Sequence, residues 1–145
     1  MTPGHNHCCR NSVVLHRHMG SHLVYLTTPQ DKFMIEISWE DFQKVELRIG
    51  TILEVEEFPE ARKPAWKLTV DFGDEIGQRR ASAQITDLYT SEELVGKQIV
   101  GVVNFPPKQI GPFMSECLVS GFVQADGSVV LAVPDKPATN GLRLS

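Results

Sequence analysis

The chain has 145 residues, 41% of them hydrophobic and 22% charged, with a formal net charge of −4. That is the size and composition of one globular domain with its own core, and it excludes a disordered, collagen-like or coiled-coil chain. No apolar run reaches the roughly 20 residues a membrane-spanning helix needs, so membrane insertion is not expected. The start, Met1-Thr2-Pro3-Gly4-His5, has no basic head ahead of an apolar stretch. No secretory signal is therefore expected, and the compartment read from this is the cytoplasm. Three cysteines, two of them adjacent at Cys8 and Cys9, make no disulfide framework.

Composition changes near residue 34. All five histidines (His5, His7, His16, His18, His22) and two of the three cysteines precede it. Residues 1–33 carry Arg10, Arg17 and Lys32 against Asp31 alone, whereas the remainder carries eleven basic and seventeen acidic side chains. A second methionine, Met34, sits at the junction. Residues 1–33 read as an unstructured extension or a misassigned start, and residues 34–145 as the domain. A zinc site on His5-x-His7-Cys8-Cys9 and His16-x-His18 is not expected. No CxxC or HxxxH pair is present, and adjacent cysteines rarely reach one tetrahedral ion together.

The domain reads mainly as strands. Ser38-Trp39-Glu40-Asp41-Phe42 has the form of one capped helical turn. Val45, Leu47, Ile49, Leu53 and Val55 then alternate with Glu46, Arg48, Gly50, Glu54 and Glu56, a period of two that predicts a long antiparallel strand with one wet face. It ends at Phe58-Pro59, where proline removes a ladder donor. In the second strand Trp66, Leu68, Val70 and Phe72 face inward and Lys67, Thr69 and Asp71 outward. A turn at Gly73–Gly77 leads into a third strand, Gln78 to Ser82. Thr90-Ser91-Glu92-Glu93 is a capping box, with Gly96 as a stop, which predicts a short helix around residues 87–95. Gln98 to Phe105 is apolar on both faces and reads as a central strand. Glu116–Gln124 and Ser128–Val133 form a hairpin across Ala125-Asp126-Gly127. The Pro- and Gly-rich tail, Pro134 to Ser145, is expected to wrap the surface. Three strands, a short helix and further strands is the order of an OB-fold, a five-stranded Greek-key barrel that binds oligonucleotides or other extended ligands on one face.

Catalysis is not expected. The domain has no histidine for a triad, no GxGxxG or Walker loop, and no converging carboxylates. Its one cysteine, Cys117, alternates within an apolar strand and reads as a buried small hydrophobe. No cofactor is called for. Basic residues are few but grouped: Arg62 and Lys63 after the first strand, Lys67 on the second, Arg79 and Arg80 on the third, and Lys108 after the central strand. In an OB-fold the first loop and the face of strands two and three share a groove, so these residues are candidates for phosphate contacts. A solvated surface is the plain alternative, and Arg79 and Arg80 must point to opposite faces. Trp66 points inward and is read as core. The segment Asn104–Ser115 holds three prolines and a glycine. It reads as a rigid loop whose Phe105, Ile110, Phe113 and Met114 offer apolar surface to a peptide or subunit, or fold onto the core.

Several strings in the same order carry a resemblance: Ala61-Arg62-Lys63-Pro64-Ala65-Trp66-Lys67-Leu68, Asp71-Phe72-Gly73 with Glu75-Ile76-Gly77, Ser82-Ala83-Gln84-Ile85-Thr86, and Val103-Asn104-Phe105-Pro106-Pro107. Over about Asp41 to Gly141 the sequence resembles the CsaA branch, export-related chaperones within the tRNA-binding-domain family. The resemblance implies an OB-fold, a homodimer and no catalysis. Its tRNA-binding members imply an RNA role for Asn104, Lys108 and Ser115, with Lys67 and Ser82 on neighbouring strands. The sequence departs from those members at Pro64-Ala65-Trp66-Lys67-Leu68, where they usually read Ala-Asp-Lys-Leu, and at Ser82-Ala83-Gln84-Ile85, where they read Ser-Gly-Leu. The CsaA branch implies binding of unfolded or precursor polypeptides and the export machinery, with Phe105, Pro106, Phe113 and Met114 as peptide-binding candidates. The expected function is a homodimeric chaperone module of protein export, with a tRNA-binding protein as the alternative.

Overall fold

The computed structural model describes residues 34–145, so the expectations for residues 1–33, the histidine–cysteine cluster included, fall outside the described residues. The described chain begins with a short helix, α1 (Trp39–Gln43). It is closed by a capping box in which the Asp41 amide donates to Ser38 Oγ and the Ser38 amide to the Asp41 carboxylate. Three strands follow: β1 (Leu47–Glu57), β2 (Trp66–Asp71) and β3 (Gln78–Ala83). Helix α2 (Ser91–Leu94) carries the second capping box, Thr90 with Glu93. Then come β4 (Gln98–Val102), a small hairpin of β5 (Lys108–Ile110) and β6 (Phe113–Ser115), β7 (Leu118–Val119), and a hairpin of β8 (Gly121–Val123) and β9 (Val129–Leu131). The main sheet runs β3-β2-β1-β4-β7, antiparallel throughout. Its far edges approach where the Glu116 amide donates to the Arg80 carbonyl at 2.7 Å. This is the expected OB-fold. Among the described residues no helix is long and apolar enough to cross a membrane.

The phase of β1 differs from the simple alternation. The buried positions are Gly50 and Ile52, not Ile49 and Leu53, and Leu53 is 39% exposed. The cause is a bulge: Ile52 pairs with Val70 but Glu54 pairs with Thr69, leaving Leu53 as the extra residue. A bulge moves every later side chain to the opposite face, which brings Val55 back inward opposite Leu68. Val45 lies outside the strand and is exposed. Gly50 has a packing reason, since a Cβ there would lie 2.7 Å from the Phe72 ring; at Gly101, on β4, the distance is 2.9 Å. The Phe72 ring therefore sits against two bare backbones. Around it Ile52, Leu68, Val70, Ala81, Leu94 and Ile99 make the main core.

Three further expectations change. The central strand ends at Val102 rather than Phe105: beyond the bond from the Val103 amide to the Glu46 carbonyl, the Glu46 amide donates to the Asn104 side chain instead of to backbone. The strand expected over Glu116–Gln124 breaks at Ser120, whose amide donates to Val100 while its carbonyl accepts from Ala132. That switch of partners turns the chain from the main sheet onto β9. The segment read as a loop over 104–115 holds the β5–β6 hairpin, with Lys108 opposite Ser115 and Ile110 opposite Phe113. The tail also does more than wrap the surface. The Ile49 amide donates to Leu142, and the Gly141 and Leu144 amides donate to Ile49 and Leu47, so the tail takes up the first part of the β1 edge that β2 vacates.

Candidate functional site

Antiparallel register decides which side chains share a face. Lys67 lies between Glu56 and Ser82, and Thr69 between Glu54 and Arg80, so the outer face of β1–β3 carries cations and carboxylates interleaved. Beneath the two cations lies a second, smaller core of Phe58, Ala65 and Phe113, with the two rings 5.4 Å apart. Lys67 Nζ sits 4.9 Å from the Phe58 ring centre and Arg80 Cζ 4.4 Å from the Phe113 ring centre, both within cation–π range. Lys67 also pairs with Glu60 at 3.7 Å. Among the described residues no carboxylate lies within ion-pair distance of the Arg80 guanidinium. A pocket here is lined by Glu54, Glu56 and Glu116 as well as Lys67 and Arg80, so the face is of mixed charge.

A second concavity lies where β3 and β8 part. This cleft, about 1110 Å³, is lined by Ser82–Ile85, Phe105–Ile110, Ser115, Cys117–Gly121, Val123 and Val129. Its lining is mostly apolar, with Lys108 as the single charged side chain. Phe105 and Leu118 are about half exposed, at 54% and 50%. The volume is at the upper end of what a small-molecule site offers and suits an extended segment.

The sequence candidates divide over these two places. Lys67 and Arg80 lie on the mixed face, and Ser82, Lys108 and Ser115 line the cleft. Arg79 is opposite the core residue Val70 and so on the other side of β3 from Arg80, as the alternation requires. Arg62 and Lys63 are exposed in the β1–β2 loop. Asn104 has a framework role as well: its Nδ2 donates to the Lys44 carbonyl at 2.6 Å and its Oδ1 accepts from the Glu46 amide at 3.0 Å, so both ends of the amide hold the fold together. Ser115 is similarly engaged, accepting from the Ser82 amide and donating to the Cys117 carbonyl. Asn104→Ala is expected to cost about 1–2 kcal/mol of stability from two lost hydrogen bonds and to leave tRNA affinity unchanged. Thermal denaturation and a binding titration of the variant check both halves.

Of the peptide candidates, Phe105 and Pro106 line the cleft. Phe113 is corrected: it is 3% exposed, because β6 turns it under Lys67 and Arg80 to pack on Phe58. Met114 pairs opposite Gln109 and does not line the cleft. Sequence reasoning missed Leu118, Gly121 and Val123. The signal was the apolar pairs Leu118-Val119 and Phe122-Val123, which put apolar side chains on both faces of the segment. Cys117 is buried, which pushes its thiol up to about 12, so it stays protonated at neutral pH and is no nucleophile.

Comparison with known proteins places these features in a family. A family model described as "Putative tRNA binding domain" matches residues 47–143. The methionine–tRNA ligase of Porphyromonas gingivalis is 37% identical over 99 residues, covering 68% of this chain and 14% of the ligase. That of Archaeoglobus fulgidus is 38% identical over 109 residues, covering 75% of this chain and 16% of the ligase. The chain thus spans about a seventh of the length of these curated relatives. Among solved structures, the chaperone CsaA of Bacillus anthracis is 50% identical with a TM-score of 0.73, covering 77% of this chain and all of that one. CsaA of Picrophilus torridus is 49% identical with a TM-score of 0.71, over 76% of this chain and all of its own. A MetRS related protein of Pyrococcus horikoshii matches at 28% identity and a TM-score of 0.69, over 77% of this chain and all of its own.

Proposed function

Since the chain belongs to the tRNA-binding-domain family, and within it to the CsaA branch, we propose that it is a non-catalytic OB-fold chaperone module whose cleft takes unfolded or precursor polypeptides. The observation that carries this is the cleft itself, an apolar concavity with half-exposed Phe105 and Leu118 at its mouth and one charged side chain in its lining. Burying apolar residues of an extended chain there gives affinity without sequence readout. Service in protein export, in the cytoplasm, is part of the same proposal, and the similarity to CsaA chaperones supports it. A homodimer is supported by exposed Trp39, Leu142 and Leu144 on α1 and the tail, which are tied together through Arg143 and the Gln43 carbonyl.

A second reading, tRNA on the Lys67–Arg80 face, has one observation in its favour: Arg80 stacks on Phe113 with its charge unspent on any described carboxylate. The neighbouring Glu54, Glu56 and Glu116 oppose phosphate at the same place, which ranks it second.

The test is substitution at the mouth. Phe105→Asp and Leu118→Asp, both at half-exposed positions, are expected to weaken binding of a fluorescent, reduced and carboxymethylated polypeptide at least tenfold each, while tRNA affinity stays level. Wild-type polypeptide affinity in both variants would remove the cleft from the account.

A further inference from the structure

The walls of the cleft are strand edges, and their hydrogen-bonding phase can be read from the ladders beside them. On β8 the Gln124 amide donates to the Ser128 carbonyl at 2.8 Å and the Ala132 amide to the Ser120 carbonyl at 2.9 Å. Bonded positions alternate in an antiparallel pair, so residues 120, 122 and 124 face β9. The N–H and C=O groups of Gly121 and Val123 therefore point away from β9, and both residues line the cleft.

The opposite wall has the same character. The Phe72 amide donates to Gly77 at 3.1 Å, which fixes Arg79, Ala81 and Ala83 as the bonded positions against β2. Arg80, Ser82 and Gln84 then face the seam. Arg80 is closed off, since its carbonyl accepts from the Glu116 amide and its amide donates to the Glu116 carboxylate at 2.9 Å. The Ser82 amide donates to Ser115 Oγ. Beyond that point the Ser82 carbonyl and both backbone groups of Gln84 have no hydrogen-bond partner among the described residues. The barrel is thus shut at Glu116 and open from Ser82 onward.

An exposed edge strand is a template for pairing, and proteins usually blunt one with lysine, proline or a cover. Gly121-Phe122-Val123 has none of these in its own sequence, and Phe122 and Val123 are 69% and 74% exposed. We infer that the polypeptide ligand lies in the cleft as an added β-strand, its main chain hydrogen-bonded to Gly121 and Val123 and its alternate side chains set on the apolar lining. This rests on the polypeptide reading above and specifies its mode. Main-chain pairing supplies affinity independent of sequence, and alternation in the bound segment supplies a preference for apolar residues at every second position. A nucleic acid cannot answer a strand edge in this way.

The experiment uses the full chain and a fluorescein-labelled heptapeptide alternating threonine with valine or leucine. Val123→Pro removes one outward N–H while leaving the β8–β9 bonds at 122 and 124 intact. It is expected to weaken peptide binding at least tenfold, with Val123→Thr, which keeps the amide, within threefold of wild type. Amide hydrogen exchange of the wild-type protein gives a readout that needs no variant: the Gly121 and Val123 amides are expected to slow at least tenfold on saturation with peptide. If peptide binds but neither amide slows and Val123→Pro is indifferent, strand addition is wrong while polypeptide binding stands. If neither the heptapeptide nor a carboxymethylated polypeptide binds, the polypeptide reading itself falls. Slowing of the same amides with rising protein concentration and no peptide would give the edge to a second copy of this chain and overturn the inference.

Discussion

Phe72→Ala lowers the unfolding free energy by about 3–5 kcal/mol, the cost of removing a buried aromatic ring together with the cavity it leaves. The upper half of that range is expected. Phe72 is fully buried, and two of its neighbours are the bare backbones of Gly50 and Gly101, which have no side chain to swing into the void. Backbone on either side is held by the β1–β4 ladder, so the cavity persists. At about 4–8 °C per kcal/mol for a domain this size, the melting temperature falls by 15 °C or more. Urea denaturation with an unchanged slope and a lowered midpoint is the expected signature. A loss below about 1 kcal/mol would mean that the ring does not fill the centre of the barrel.

Much of that core was legible from the residues. The inward set Trp66, Leu68, Val70 and Phe72 follows from a clean period of two, and both helices announce themselves by their capping boxes. What the alternation did not disclose was the bulge at Leu53. A single inserted residue leaves the composition of a strand unchanged but reverses its faces, and its only trace is the shift in pairing between Ile52 and Glu54. Gly50 falls on the wet face of the simple alternation for the same reason. Its role depends on the ring of Phe72, which lies just past the end of β2 and is invisible in a local window. The break at Ser120 is likewise tertiary, since it depends on Val100 and Ala132 arriving from two directions.

The site was legible in part. The interleaving of Lys67 and Arg80 with polar neighbours on one face follows from strand parity, as does the placing of Arg79 opposite Val70. Proline and glycine between Asn104 and Ser115 suggested a rigid loop but concealed a hairpin, because three-residue strands carry almost no periodic signal. That hairpin is what buries Phe113 and sets it beneath Arg80. Asn104 is a polar residue type suited to either ligand or framework. Its two bonds, to Lys44 and Glu46, give it a framework role that the residue type alone does not show. The cleft is a property of where β3 and β8 separate, which no one-dimensional pattern encodes.

The second large effect is the divergence of the two ligands with salt. Lys67, Arg80 and the exposed loop pair Arg62 and Lys63 can neutralise about four phosphates, which gives a log–log slope of roughly −3 to −4. Raising salt from about 50 to 200 mM then weakens tRNA binding about a hundredfold. Apolar burial and main-chain pairing in the cleft involve almost no counterion release, so polypeptide affinity changes less than about threefold over the same interval. Charge on the mixed face and apolar surface in the cleft are separate places on the barrel. The two responses therefore belong to two sites and not to one.

The most direct measurement is a fluorescence anisotropy titration of labelled, permanently unfolded polypeptide at both salt concentrations, repeated with tRNA as competitor. Dissociation constants within about threefold of each other, and no displacement by tRNA at the higher salt, are the predicted result. A loss of polypeptide binding on the order of a hundredfold, or its displacement by tRNA at 200 mM salt (about four times the lower value), would contradict the cleft as the polypeptide site and make the Lys67–Arg80 face the principal one.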